Sequence, residues 1–384
     1  MKIFICDSCG HPVFFENSQC LHCGSMLAFI PNDLDLAAVF PVEGDSMLWR
    51  RYGAPDGERA FRLCQNQTAY QTCNFAVEAS DASPYCVSCR QTRILPDLSQ
   101  SANFERWNRI EMAKRRLFYS LARLGLVSPD PGSMPDGPVF EFLADLPGGP
   151  AVMTGHRGGV ITLNVSEADD DERARRRIAL HEPYRTLLGH LRHESGHYYW
   201  DRLIRDGGRT DAFREIFGDE SLDYGQALQA HYANQHQPPA WQEDYVTAYA
   251  AAHPWEDWAE TWAHYLHMVD LLETAAAYST RVVVPGSEIP PPAKVIDPFA
   301  GRFTDFDEIV RQWVPVTLLV NSLNRSLGQN DAYPFALTAG SLRKLRSVHE
   351  VIREASVRPQ ANGPANAADS PGQVADHQPV PAQG

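Results

Sequence analysis

The clearest chemistry in this chain lies in the run His193-Glu194-Ser195-Gly196-His197. Side chains four apart on a helix leave the same face about one turn apart, so both imidazoles can reach one ion while Glu194 points at its open position. Zinc held by three protein ligands keeps a place for a water whose pKa falls to about 7, and a neighbouring carboxylate can take that water's proton as it attacks a polarised carbonyl. Glu194 is the candidate base. The five-residue pattern arises by chance in a chain of this length with a probability on the order of a few per cent, so its context decides. That context is a helical segment, preceded by a strand candidate at 160–165 that could serve as an edge for an extended substrate. It favours a zinc site over two core histidines satisfied by hydrogen bonds.

A catalytic zinc needs a third protein ligand, and the tryptophan-rich run His253-Pro254-Trp255-Glu256-Asp257-Trp258-Ala259-Glu260 offers two. Glu256 and Glu260 lie four apart on one helix face, flanked by Trp255 and Trp262. A carboxylate turned inward there is costly without a metal or an imidazolium partner. Spacing alone leaves the two acids interchangeable. His190, His264 and His267 could each stand in for a ligand, but are read as surface or hydrogen-bonded histidines.

All eight cysteines precede residue 90. Cys6-x2-Cys9 and Cys20-x2-Cys23 are two knuckles ten residues apart, the spacing of a zinc ribbon closed by four thiolates. Cys64, Cys73, Cys86 and Cys89 contain one true knuckle and suggest a second four-thiolate site, with cross-pairing between the quartets left open. Closed sites of this kind have no vacant position and stabilise a small-core region without doing chemistry. The expected inventory is therefore one catalytic and two structural Zn2+ ions. Disulfides are disfavoured in an unexported chain because the cytosol keeps thiols reduced.

The elements that must carry these residues follow from periodicity and punctuation. Residues 1–98 read as a double zinc-binding, ribbon-like domain with short strands such as that at Pro12-Val13-Phe14-Phe15. A docking helix at 102–124, with Phe104, Trp107, Ile110, Leu117 and Leu121 at helical spacing and Gly125 as its stop, opens a connecting segment over 99–137. The metallopeptidase-like domain spans 138–355. It holds strands at 139–143 and 160–165, a helix from Pro183 to Asp206 carrying the histidines, and a helical stretch at 242–274 restarted at Pro254. A proline-rich connection at 279–303 and helices at 305–327 and 339–355 follow. Residues 356–384, rich in Pro, Ala, Gln and Gly, cannot bury enough surface to offset their ordering entropy and read as a disordered tail. The fold class is α+β, mainly helical around a small sheet.

A formal net charge of -14 argues against wholesale binding to nucleic acid or anionic membrane. The N-terminus reaches Asp7 before any signal-like apolar run, and no stretch is long enough to span a bilayer. A cytoplasmic protein acting on a protein or peptide substrate is expected, with no membrane partner and no oligomeric state implied.

HESGH followed 59 residues after His197 by the Glu-x-x-x-Glu of Trp255-Glu256-Asp257-Trp258-Ala259-Glu260 resembles the gluzincin metallopeptidases, which include thermolysin-like enzymes and anthrax lethal factor. The resemblance implies that Glu256 is the third zinc ligand and that Glu260 orients a ligand histidine. It also implies that Tyr249, seven residues before Glu256, donates to the oxyanion. The ribbon, the second quartet, the 107–123 helix with Ala113-Lys114-Arg115-Arg116-Leu117, and Pro183-Tyr184-Arg185-Thr186-Leu187-Leu188-Gly189-His190 together resemble a bacterial family of zinc-binding metallopeptidases with an N-terminal zinc ribbon. That resemblance covers about residues 1–355 and implies a peptidase of unassigned substrate. Two alternatives stand beside it: a ribbon module binding protein or nucleic acid with an inactive peptidase-like domain, and a zinc hydrolase of a non-peptide amide.

Overall fold

A computed structural model of the chain describes residues 1–55, 59–129, 137–179, 185–234, 241–286, 294–300 and 304–357. The tail at 358–384, most of the 126–137 linker and Pro183 lie outside the described residues.

Knuckle-bounded apolar runs too short for helices form the N-terminal strands. β1 (Phe4–Ile5) and β2 (Pro12–Val13) make a small hairpin. β3 (Met26–Ile30), β4 (Asp35–Val42), β5 (Asp45–Arg51), β6 (Phe61–Leu63) and β7 (Ala76–Glu78) form an antiparallel sheet in chain order, with the helix α1 (Gln65–Tyr70) between the last two strands. Alternation sends Leu27, Phe29, Leu36 and Phe75 to the main core. Ala28, Ile30, Ala37 and Phe61 form a second, smaller cluster on the opposite face.

β8 (Thr92–Ile94) leaves this region to pair in parallel with a strand of the second half, so the two halves share a sheet. Between them runs α2 (Ser101–Arg123), close to the expected 102–124 and followed by Gly125 at φ 69°. Its face buries Trp107, Ile110, Leu117, Phe118 and Leu121. Phe15 and Phe29 meet the Tyr119 ring at 5.5 and 6.1 Å, edge-on, so the ribbon packs on α2.

β9 (Val139–Leu143), β10 (Gly155–Arg157) and β11 (Val160–Asn164) complete a mixed sheet in the order β10-β11-β9-β8. The strand expected at 160–165 is therefore interior, and the edge is the unforeseen β10, which pairs antiparallel with β11. A 3-10 turn at Val165–Ala168 leads into α3 (Asp170–Ala179).

The histidine helix α4 (Leu187–Tyr199) starts later than Pro183. Thr186 caps it, its hydroxyl accepting from Gly189 N at 3.0 Å. A π-type turn at Trp200–Arg205 continues it, with α5 (Thr210–Phe217) and α6 (Tyr224–Ala233) beyond. α7 (Pro254–Ala277) has proline in its first turn and His253 as cap, the ring Nδ1 accepting from Trp255 N at 3.1 Å. The preceding part of the 242–274 stretch forms only short 3-10 turns at Trp241–Glu243 and Tyr249–Ala252. α8 (Phe306–Ser326) and α9 (Ala339–Val357) close the fold, and Lys344 of α9 pairs with buried Asp257 at 2.7 Å. No helix among the described residues is long and apolar enough to cross a membrane.

Candidate metal centre

The site depends on how closely α4 and α7 approach. Gly196 sits at their crossing, where a Cβ would lie 2.9 Å from Ala259 Cα and 3.2 Å from Trp262 Cβ. Two buried indoles then clamp the helices: Trp258 Nε1 donates to Gly196 O at 2.9 Å and Trp262 Nε1 to Ser195 Oγ at 3.1 Å. Arg192 adds an ion pair to Asp270 on the same two helices. Since the contact on Gly196 is backbone, Gly196→Ala is expected to lower stability by about 1–3 kcal/mol and to loosen metal retention. A thermal melt and zinc content both equal to wild type would show that the crossing has slack.

This approach brings together His193, His197 and Glu256, all buried. The two histidine Nε2 atoms are 3.2 Å apart, Glu256 Oε2 lies 3.1 Å from His193 Nε2, and Glu256 Oε1 lies 3.6 Å from His197 Nε2. Tetrahedral zinc with bonds of about 2.0–2.1 Å requires its ligand atoms to be roughly 3.3 Å apart, and the three donors match. The donor set fits zinc chemically as well, with two imidazoles and one carboxylate.

Glu260, one turn along α7, lies at the other nitrogen: His193 Nδ1 is 2.7 Å from Glu260 Oε1. Thr247 Oγ1 in turn donates to Glu260 Oε2 at 2.8 Å. An acid that binds the outer nitrogen of a ligand histidine fixes its tautomer and ring orientation. Trp255 covers His197, ring centroids 3.8 Å apart. Burial favours neutral groups here. For His193 the Glu256 and Glu260 carboxylates outweigh it and hold the imidazolium well above the usual histidine range. Glu256 is held well below the carboxylate range despite its burial, because His197 and His193 face it.

Glu194 is buried, with Oε1 3.2 Å from His190 Nε2. Its Oε2 is buried and has no hydrogen-bond partner among the described residues. Tyr249, on the 3-10 turn before α7, has its ring 6.0 Å from that of His193. Sequence reasoning missed Tyr224, whose hydroxyl donates to Glu256 Oε1 at 2.8 Å. It also passed over Glu167, Thr247 and His190 as partners. The spacing of His190 four residues before Glu194 was a visible signal, whereas Tyr224 and Thr247 carried none. His264 bonds Tyr333 through Nδ1 at 2.6 Å, and His267 lies against Arg192; neither joins the cluster of His193, His197 and Glu256 that could hold a metal.

The eight cysteines fall into two separate quartets, without cross-pairing. Sulfur separations are 3.7 Å for Cys6–Cys23 and Cys9–Cys20, 3.8 Å for Cys73–Cys86, and 3.7 Å for Cys73–Cys89. Four thiolates around zinc at about 2.3 Å lie about 3.8 Å apart, whereas a disulfide needs about 2.05 Å. Backbone N–H groups of Phe75, Cys86 and Cys89 each point at a sulfur of the second quartet at 3.4 Å.

Residues 103–351 match the family described as "Putative zinc-binding metallo-peptidase", and residues 3–100 match a zinc-ribbon domain. Uncharacterised proteins of Mycobacterium bovis and of two strains of Mycobacterium tuberculosis are 39% identical over 356 residues, covering 92% of this chain and 96% of each relative. No solved structure matches the chain. The chain belongs to this zinc-binding metallo-peptidase family.

Proposed function

We propose that this member of the zinc-binding metallo-peptidase family hydrolyses peptide bonds, with His193, His197 and Glu256 holding a catalytic zinc and Glu194 as general base. The two cysteine quartets are assigned to structural zinc. The observation that carries the reading is the unequal environment of the Glu194 oxygens. Oε1 faces His190 Nε2 at 3.2 Å, while Oε2 is buried with no hydrogen-bond partner among the described residues. A buried carboxylate oxygen without a partner is costly unless a further group meets it.

Zinc at this position supplies a Lewis acid for the scissile carbonyl and lowers the pKa of an attacking water toward neutrality. Glu194 Oε2 accepts the proton of that water and delivers it to the departing amine, so the carboxylate is regenerated at the end of the cycle. Glu194 is poised for this as a carboxylate: burial pushes its pKa up, but His190, with His193 and His197, outweighs this and holds it below the usual range. Tyr249 is assigned the oxyanion donor role, in support of which its ring stands beside that of His193. An extended peptide is assigned to the outer edge of β10, which is unpaired among the described residues and where His156 sits 6.5 Å, ring to ring, from His197. We assign the protein to the cytoplasm, and the net charge of -14 supports a protein or peptide substrate over nucleic acid.

The test is a proteome-derived peptide library incubated with zinc-loaded protein and read by mass spectrometry. Cleavage that stops with phenanthroline and returns with added zinc is expected. A zinc-replete protein that cleaves no peptide in the library would overturn the assignment.

A further inference from the structure

The reaction above gives His190 no task. Thr186 caps α4 just ahead of it, so it stands in the first turn, four residues before Glu194 on the same face. Its Nδ1 is 2.5 Å from Glu167 Oε2 and its Nε2 is 3.2 Å from Glu194 Oε1. Glu167 comes from a different element, the 3-10 turn after β11, and is buried. Its Oε1 accepts from Thr154 Oγ1 at 2.6 Å and from Arg176 Nη1 at 3.1 Å, and Arg185 Nη2 stands 3.8 Å from Oε2. Glu167 is thus fixed from several sides, and it fixes the ring of His190 in turn.

A neutral imidazole has one N–H and can donate to only one of two carboxylates, whereas a ring protonated on both nitrogens donates to both. The ring lies between two carboxylates, which both contacts favour together when each nitrogen carries hydrogen. A contact serving only to tie the 3-10 turn to α4 would be met by the bond to Glu167 and would not need the second nitrogen at Glu194.

We propose that Glu167 and His190 form a positioning relay for the general base, in which Glu167 orients His190 and His190 Nε2 donates to Glu194 Oε1, turning Oε2 to the metal centre. The relay rests on the base role given to Glu194. His190 lies outside the His193, His197 and Glu256 cluster and is a positioning residue. A carboxylate free to rotate spends less time in the productive geometry, which lowers the rate of the chemical step without changing substrate binding.

Two readouts on the zinc-loaded full chain test it. With the most rapidly cleaved library peptide, His190→Ala is expected to lower kcat about 10- to 100-fold with KM and zinc content unchanged. His190→Gln, which returns an amide N–H near the place of Nε2, recovers part of that loss, and His190→Asn does not. An unchanged kcat for His190→Ala, a loss that falls on KM, or no recovery with Gln overturns the relay. Independently of turnover, nitrogen-15 NMR of histidine-labelled protein is expected to show both His190 ring nitrogens protonated, the signals being assigned by their loss in His190→Gln. An unprotonated Nε2 overturns the proposal. If the wild type cleaves no peptide, the base role fails, while the NMR result still decides whether His190 donates to Glu194.

Discussion

Glu194→Gln is expected to lower kcat by about 10²–10⁴-fold while leaving zinc content and melting temperature unchanged. Gln matches Glu in size, so the packing around this buried position is kept. The amide oxygen can still accept from His190 Nε2, which lies 3.2 Å from Oε1 in the native chain. What is lost is the second oxygen as a base: the buried Oε2, unpartnered among the described residues, becomes an amide nitrogen that cannot accept a proton. The zinc ligands assigned here are other side chains, so metal content separates this variant from one that has lost the site. The measurement is initial rate against peptide concentration, paired with elemental analysis on the same preparation. Turnover within a few-fold of wild type would remove Glu194 from the chemistry and leave the water to be activated by another group.

The parts legible in the sequence were those with a period or a hard stop. α2 shows a long apolar stripe closed by Gly125, and α7 starts at a proline that fits a first turn, so α2 could be placed within a residue at each end and α7 at its start. The cysteine quartets were legible because metal spacing constrains them locally, although only their positions in space settle that they do not mix. β10 was not legible. Gly155-His156-Arg157 is three residues long, too short for alternation to appear, so the interior strand β11 was taken for the edge. The parallel pairing of β8 with β9 was equally hidden, since it joins segments that share no turn.

Glu256 and Glu260 could not be separated by spacing, because acids four apart on one helix present alike. Their difference is height along α7 relative to α4, which the contact at Gly196 sets. That height puts Glu256 at the inner nitrogens and Glu260 at the outer nitrogen of His193. His190 was read as a surface or hydrogen-bonded histidine for a related reason. One of its two partners, Glu167, lies on a segment that only the fold brings to α4.

The central claim is that the two histidines of α4 hold a zinc ion distinct from those of the cysteine quartets, and zinc content per chain tests it most directly. Three clusters of suitable donors exist among the described residues, two of thiolates and one of His193, His197 and Glu256. The thiolate clusters use other residues, on the N-terminal strands and loops, so removing both imidazoles should leave them loaded. It should also leave Glu256 without its two imidazole partners, unable to retain zinc and destabilising by about 3–5 kcal/mol as a buried charge that has lost its pair, the Tyr224 hydroxyl remaining. For that reason Glu256→Gln belongs beside the double variant as a milder removal of the same site. Elemental analysis of protein purified without added metal should give about three zinc ions per chain for the wild type and about two for His193→Ala/His197→Ala, and for Glu256→Gln a value below the wild type. Equal zinc in the wild type and the double variant would contradict the account, because the HESGH histidines would then hold no metal at all.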